Sequence, residues 1–489
     1  MNRLNWLARA CGLLLIGVGA ATAAGAQTFK TLASFDGTNG QQPLAPLVQG
    51  TNGNLYGTTN LGGAAQLGTI FRITPGGTLT TLYSFCSQFN CADGTNPYGG
   101  LALGTDGNLY GTTFDGGTFQ EGTIFRISPS GSLTTLYSFC NVDGCPDGAL
   151  PQAGLVLGTD GNFYGTTAYG GTSIFCSDGC GTAFKITPGG VLTTVYSFCP
   201  HSGCADGYGP ASTLALGTDG NFYGTTLYGG DPTSNAGTVF KLTPGGALTT
   251  LYTFCAQTPC TDGETPWGGL VQARDGNFYG TTYNGGALLA GTVFRVTASG
   301  ALTTLLSFAG NNGQNPEAAL VQATDGNLYG TTVFGNNGCC GTNSGTVFRI
   351  TLGGKLTTLY TFCLQSGCPD GSNPTGALVQ GTNGTFYGTT SDGGGLGTGD
   401  GTVFSLGLGL GAFVKTLPTS GKVGATVIIL GNNLKGSIGV TFNGTPAAFT
   451  VVSGSEIKTT VPGGATTGKV QVTAAGGTKL TSNLSFQVR

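Results

Sequence analysis

The chain has 489 residues, with 18 Lys and Arg against 21 Asp and Glu and a formal net charge of −3. A chain this slightly acidic, with only 8% of its residues charged, offers neither the clustered cations that displace counterions from nucleic acid nor a polybasic patch for anionic lipid. Its 93 glycines recur at fixed offsets beside β-branched and aromatic residues, which excludes disorder and points to many short strands joined by tight turns.

Residues 1–26 read as a signal peptide. Arg3 and Arg9 make a basic start, an apolar run extends from Ala10 to Ala23, and Ala24-Gly25-Ala26 forms the cleavage site. The expectation is an exported protein, secreted or at the cell surface, with the periplasm also open. No later stretch reaches the ~18 to 20 apolar residues that span a bilayer, so no transmembrane segment is predicted.

From Lys30 the chain is a tandem repeat. In one unit, Gly100–Phe139, "GGLALGT" reads as a strand, "DG" as a tight turn and "NLYGTT" as a second strand; "GTIFRIS" and "LTTLYSF" follow as third and fourth strands joined by "PSG". Asp-Gly and Pro-x-Gly suit hairpins because glycine accepts a positive φ. Each unit is therefore a four-stranded antiparallel meander, one blade of a propeller. "YGTT" occurs seven times, at Tyr56, Tyr110, Tyr164, Tyr223, Tyr279, Tyr329 and Tyr387, whereas the "LTTLYSF" strand occurs six times and is missing after the last "GTVF". Its seventh relative, "KTLASF" at Lys30–Phe35, precedes the first unit. That permutation predicts an all-β, seven-bladed β-propeller over 27–412 whose N-terminal strand completes the last blade.

The text "GTDGNLYGTT", followed by "GGT.F.I.PGG.LTTLYSF", resembles the Gloeobacter/Verrucomicrobia (GloVer) tandem repeat in all seven units. The resemblance implies an exported bacterial repeat protein and brings no established activity. Beyond Gly411 the text changes to "PTSGKVGATVIILGNNL", "VTFNG" and "VPGGATTGKVQV", similar to an IPT/TIG domain, which implies an immunoglobulin-like β-sandwich over 413–489 and tilts the reading toward adhesion and interaction.

In a meander blade, the first-to-second and third-to-fourth turns share one face of the ring. Here they are short and uniform. Loops between "YGTT" and "GT.F" lie on the opposite face with the links between blades, and their lengths run 8, 8, 13, 10, 8, 12 and 10 residues. Variation on a fixed scaffold is how binding loops behave, so this second face is the candidate functional surface. Its candidate ligand-binding aromatics are Tyr98, Phe114, Tyr169, Tyr208, Tyr228, Trp267, Tyr283 and Phe334, suited to stacking on sugar faces or anchoring a protein partner.

The same face carries the cysteines. Cys86/Cys91, Cys140/Cys145, Cys199/Cys204, Cys255/Cys260 and Cys363/Cys368 share C-x4-C spacing, and Cys176/Cys180 lie close together; export predicts local disulfides. Zinc is the competing reading, set back by the lack of a histidine beside four of the five C-x4-C pairs. The adjacent Cys339 and Cys340 remain open.

Catalytic chemistry is thinly supplied. The one histidine, His201, lies inside a cysteine loop, and no catalytic residue is assigned. Aspartates of the "DGN" turns (Asp106, Asp160, Asp219, Asp275, Asp325) read as turn caps. Those of the links (Asp36, Asp93, Asp147, Asp206, Asp262, Asp370) read as turn caps or, alternatively, as a Ca²⁺-holding ring; no other cofactor is implied. The sequence thus suggests a non-enzymatic exported protein that binds a carbohydrate or protein ligand, with a glycosidase or lyase and a structural surface or matrix component as alternatives.

Overall fold

The computed structural model describes residues 27–255, 258–335, 344–395 and 399–489; the expected signal peptide and Cys339–Cys340 lie outside them. Seven four-stranded antiparallel sheets make the predicted propeller. In the second blade the strands are Ala102–Leu103, Leu109–Thr113, Thr123–Ile127 and Leu133–Ser138, from the axis outward. The seventh blade takes its outer strand from the start of the repeat region: Thr28–Ser34 pairs antiparallel with Thr402–Gly407, from Thr28 opposite Gly407 to Ser34 opposite Thr402.

The recurrence of "YGTT" has a physical cause at each letter. Tyr110 is buried, and its hydroxyl donates to Asp106 Oδ2 at 2.8 Å, tying the second strand to its own turn. In the first and seventh blades Asn52 and Asn383 replace that aspartate, and their amides donate to Tyr56 and Tyr387 instead. Glycine follows because there is no room for more. A Cβ on Gly224 would stand 2.5 Å from Phe240 and 2.8 Å from Leu214. In five blades the first threonine reaches the next blade: Thr112 Oγ1 donates to Ala153 O at 2.9 Å, and Thr389 of the last blade donates to Ala45 O of the first at 3.3 Å. The second threonine shares a 2.8 Å hydrogen bond with the threonine that opens the third strand, as in Thr113 and Thr123.

Between blades, the phenylalanine ending each outer strand meets the third-strand phenylalanine of the next blade. All seven such pairs, from Phe35–Phe71 to Phe362–Phe404, have ring centroids 5.1 to 5.4 Å apart, the separation that favours edge-to-face aromatic contact.

The C-terminal segment is a sandwich of a four-stranded and a five-stranded sheet. Val427, Ile429, Val440, Phe442, Ile457, Val470, Val472 and Phe486 are among its core residues. The strand Thr426–Leu430 is buried on both faces. Val427 and Ile429 enter the sandwich core, while Ile428 and Leu430 pack into a propeller cluster with Leu101 and Leu103.

Candidate functional site

The sandwich covers the face of the ring that carries the short, uniform turns. Ser455 Oγ donates to Thr51 O at 2.7 Å, Asn432 Nδ2 to Thr382 Oγ1 at 2.9 Å and Asn483 Nδ2 to Gln322 O at 2.9 Å, and Arg274 bonds the Asn483 side chain. Lys415 projects into the seam and donates to Gln380 O at 2.6 Å. Burial alone pulls its ammonium down to about 8, because removal from water disfavours the charged form. Leu47, Val48, Leu103 and Leu155 of the channel wall face Lys415, Leu417 and Leu484 across this seam.

On the other face the channel mouth stays open as a cup of about 540 Å³. Each link reaches it through one pattern: a residue with positive φ, a proline, one variable residue, two small residues and a leucine. The residue before the proline lies in the left-handed region in every blade, at Gln42, Asn96, Leu150, Gly209, Thr265, Asn315 and Asn373, with φ from 53° to 63° except that Gly209 alone is glycine. Holding six non-glycine residues there costs energy that the surrounding structure must offset, and such positions gather at functional sites. The proline packs on the glycine of the preceding blade's "GT.F" strand; a Cβ on Gly122 would stand 2.7 Å from Pro151 Cδ. This turn delivers the next side chain to the mouth. Around the ring the seven delivered residues are Leu44, Tyr98, Gln152, Ala211, Trp267, Glu317 and Thr375, all lining the cup and no two alike. Trp267 and Glu317 stand on adjacent blades, and Tyr98 stands three blades from Trp267 in the seven-membered ring, nearly across the axis.

Glu317 is the one charged residue in the lining. Burial pushes its carboxyl up to about 7, with no cation to oppose the shift, and its charge contributes to the raised value of the nearby Tyr283 phenol. A folded-state value above the ordinary 4.5 means that the folded protein keeps a proton which the unfolded chain releases. This group's contribution to stability therefore falls as pH rises from about 4.5 to about 7 and is lowest above that window. Glu317→Gln is expected to flatten that part of the melting-temperature profile, and parallel slopes for the two proteins across it would contradict the assignment.

The structure gathers three of the sequence-predicted aromatics into the cup: Tyr98, Phe114 and Trp267. The Tyr98 and Phe114 rings meet edge to face at 5.2 Å, and both Tyr98 and Trp267 are 39% exposed. Tyr283 sits beside Glu317. Tyr208 and Tyr228 form a separate pair, with ring centroids 5.3 Å apart and the Tyr208 hydroxyl accepting from Asn235. Tyr169 lines a different hollow with Ile174 and Phe175, and Phe334 pairs through its backbone with Gln314. Sequence reasoning missed Glu317 and Gln152. The available signal was the position after the seven-fold proline, the place in an otherwise uniform motif where all seven repeats disagree.

Six disulfides join Cys86–Cys91, Cys140–Cys145, Cys176–Cys180, Cys199–Cys204, Cys255–Cys260 and Cys363–Cys368. The Sγ atoms of Cys176, Cys180, Cys199 and Cys204 lie within 4.8 Å of one another and are joined here as two of these disulfides. Five of the link aspartates hold the cysteine loops to the blade. Asp147 accepts from the Tyr137 hydroxyl at 2.9 Å and from the Cys140 N–H at 3.0 Å, and Asp93, Asp206, Asp262 and Asp370 each accept from the corresponding tyrosine. Burial, reinforced by the Asp147 carboxylate, raises the Tyr137 phenol well above its ordinary value. Asp36 caps Thr38 and Asn39. These carboxylates are thus committed to the scaffold. Asp147→Ala strands two donors and is expected to cost about 2 to 4 kcal/mol, the scale for leaving buried groups unpaired, read from urea unfolding; a change under about 0.5 kcal/mol, the level of an ordinary surface substitution, would contradict this role.

Among the described residues no helix is long and apolar enough to cross a membrane. The chain matches the Gloeobacter/Verrucomicrobia repeat over residues 18–175 and 175–404 and the IPT/TIG domain over 413–488. No curated protein matches it. Among solved structures it is similar to a fungal alcohol oxidase in complex with copper, at 12% identity and a TM-score of 0.50, covering 95% of this chain and 99% of the other. A luciferin-regenerating enzyme is 16% identical with a TM-score of 0.37, covering 63% of this chain and 89% of its own. At these identities the likeness concerns the fold alone. Matched by the repeat over most of its length, the chain belongs to the Gloeobacter/Verrucomicrobia repeat family and joins that repeat to an IPT/TIG domain.

Proposed function

We propose that this is an exported, non-enzymatic binding protein that holds a carbohydrate in the cup at the open mouth of the propeller, with the IPT/TIG sandwich closing the opposite end. The observation that carries the reading is the ring of seven unlike residues, set by seven like turns, at one mouth of the channel. That position differs in all seven repeats while the proline before it and the leucine after it are kept, the pattern of a fixed scaffold presenting variable contacts. Half-exposed Trp267 and Tyr98 offer rings for stacking on sugar faces, and Gln152, Thr375 and Glu317 offer polar groups that orient hydroxyls. The disulfides support export, since such bonds persist in oxidising compartments.

A glycosidase acting through paired carboxylates needs two of them across the substrate, and the cup lining contains one, Glu317. A glycan-array screen of the mature chain, with product analysis of every bound saccharide, tests the reading. Saccharide binding without breakdown supports it, breakdown replaces it with catalysis, and an array without any binding overturns it in favour of a protein ligand or a structural role.

A further inference from the structure

We propose that the cup selects saccharides bearing a free primary amine, with the ammonium group seated against Glu317 and beside the Trp267 ring. The inference rests on the carbohydrate reading above and adds the chemistry of the ligand.

Three features of the lining lead to it. The first is charge: Glu317 is acidic, and no Lys, Arg or His lines the cup, so phosphorylated, sulfated or uronic saccharides would meet one negative charge and no positive one. The second is the setting of that carboxylate. Among the described residues it has no ionic partner, and Leu44, Pro46 and the Trp267 and Tyr98 rings wall the same space. Ionised there, it lacks the counter-charge that a buried carboxylate normally has. A ligand ammonium supplies that charge and donates hydrogen bonds to it. The third is the aromatic wall, whose ring faces attract cations as well as sugar C–H groups. A neutral sugar would satisfy the rings and leave the carboxylate uncompensated, and an acetylated amine would do the same. A free amino sugar satisfies both. The raised carboxyl value of Glu317 in the empty cup agrees with this and adds a signature: binding an ammonium should drive a proton off Glu317.

The test uses the mature full-length chain and three probes of equal length: glucosamine oligomers, N-acetylglucosamine oligomers and cello-oligosaccharides, measured by titration calorimetry near pH 6, where the sugar amine is already largely an ammonium and Glu317 still largely holds its proton, in two buffers of different ionisation heat. The glucosamine oligomer is expected to bind at least tenfold more tightly than either neutral probe and to release protons as it does so. Glu317→Gln should remove that tenfold preference and the proton release, bringing the three probes to comparable affinity. Because the equivalent positions already hold Gln152 and Thr375, a neutral side chain at 317 is compatible with the blade. Equal binding of all three probes, or a preference that survives in the glutamine variant, overturns the amine inference and leaves carbohydrate binding standing. Failure of every saccharide to bind overturns both.

Discussion

Deleting Thr28–Phe35 should leave the propeller unable to fold at ambient temperature. The strand gives the seventh blade its outer edge and closes the ring. Without it, Thr402–Gly407 becomes an open edge. Four aromatic contacts vanish as well. Phe29 stacks on Tyr360 at 3.7 Å, and fully buried Phe35 packs against Phe71 of the first blade. Loss of the buried Phe35 alone costs about 3 to 5 kcal/mol, against a total stability of about 5 to 15 kcal/mol for a typical protein. Circular dichroism melts of the shortened chain should show no cooperative transition, and a synthetic peptide of the deleted strand should restore one. A shortened chain melting within a few degrees of the full one would mean that six and three-quarter blades hold together unaided.

Trp267→Ala and Tyr98→Ala should each weaken saccharide binding at least tenfold, and together by more than a hundredfold, as expected when stacking rings anchor a ligand. Neither variant should lose more than about 1 kcal/mol of stability, since both side chains are over a third exposed and one of the two blades between them already carries alanine at the same position, Ala211. The two measurements, calorimetric affinity and urea unfolding, separate a ligand contact from a packing role. A bound saccharide indifferent to both substitutions would move the site elsewhere on this face, with the Tyr208–Tyr228 pair the next place to look.

Blade number and the closing role of the N-terminal strand could both be read from the sequence, because each is a matter of counting and periodicity. The turn aspartates were equally legible: an Asp two residues before Asn108 and four before Tyr110 has its donors within the same eight letters. Two things were not. Glu317 lies 50 positions beyond Trp267 in the sequence, and only the ring geometry brings the two to one cup. Docking of the sandwich on the propeller was written in "TVIIL" at Thr426–Leu430, where a strand of a free-standing sandwich would alternate apolar and polar residues. The continuous apolar run implied a second buried face without saying what covers it.

The sandwich docked across one end has a consequence for any polymer that the protein meets. A propeller channel open at both ends could let a chain run straight through it, whereas here the sandwich lies across one mouth and obstructs that path. A long polysaccharide held in the cup would then present a terminus or a short exposed bend rather than thread the ring. The number of protein molecules a polymer can hold would then follow its count of chain ends rather than its mass, a difference that fragmentation of the same polymer would make visible.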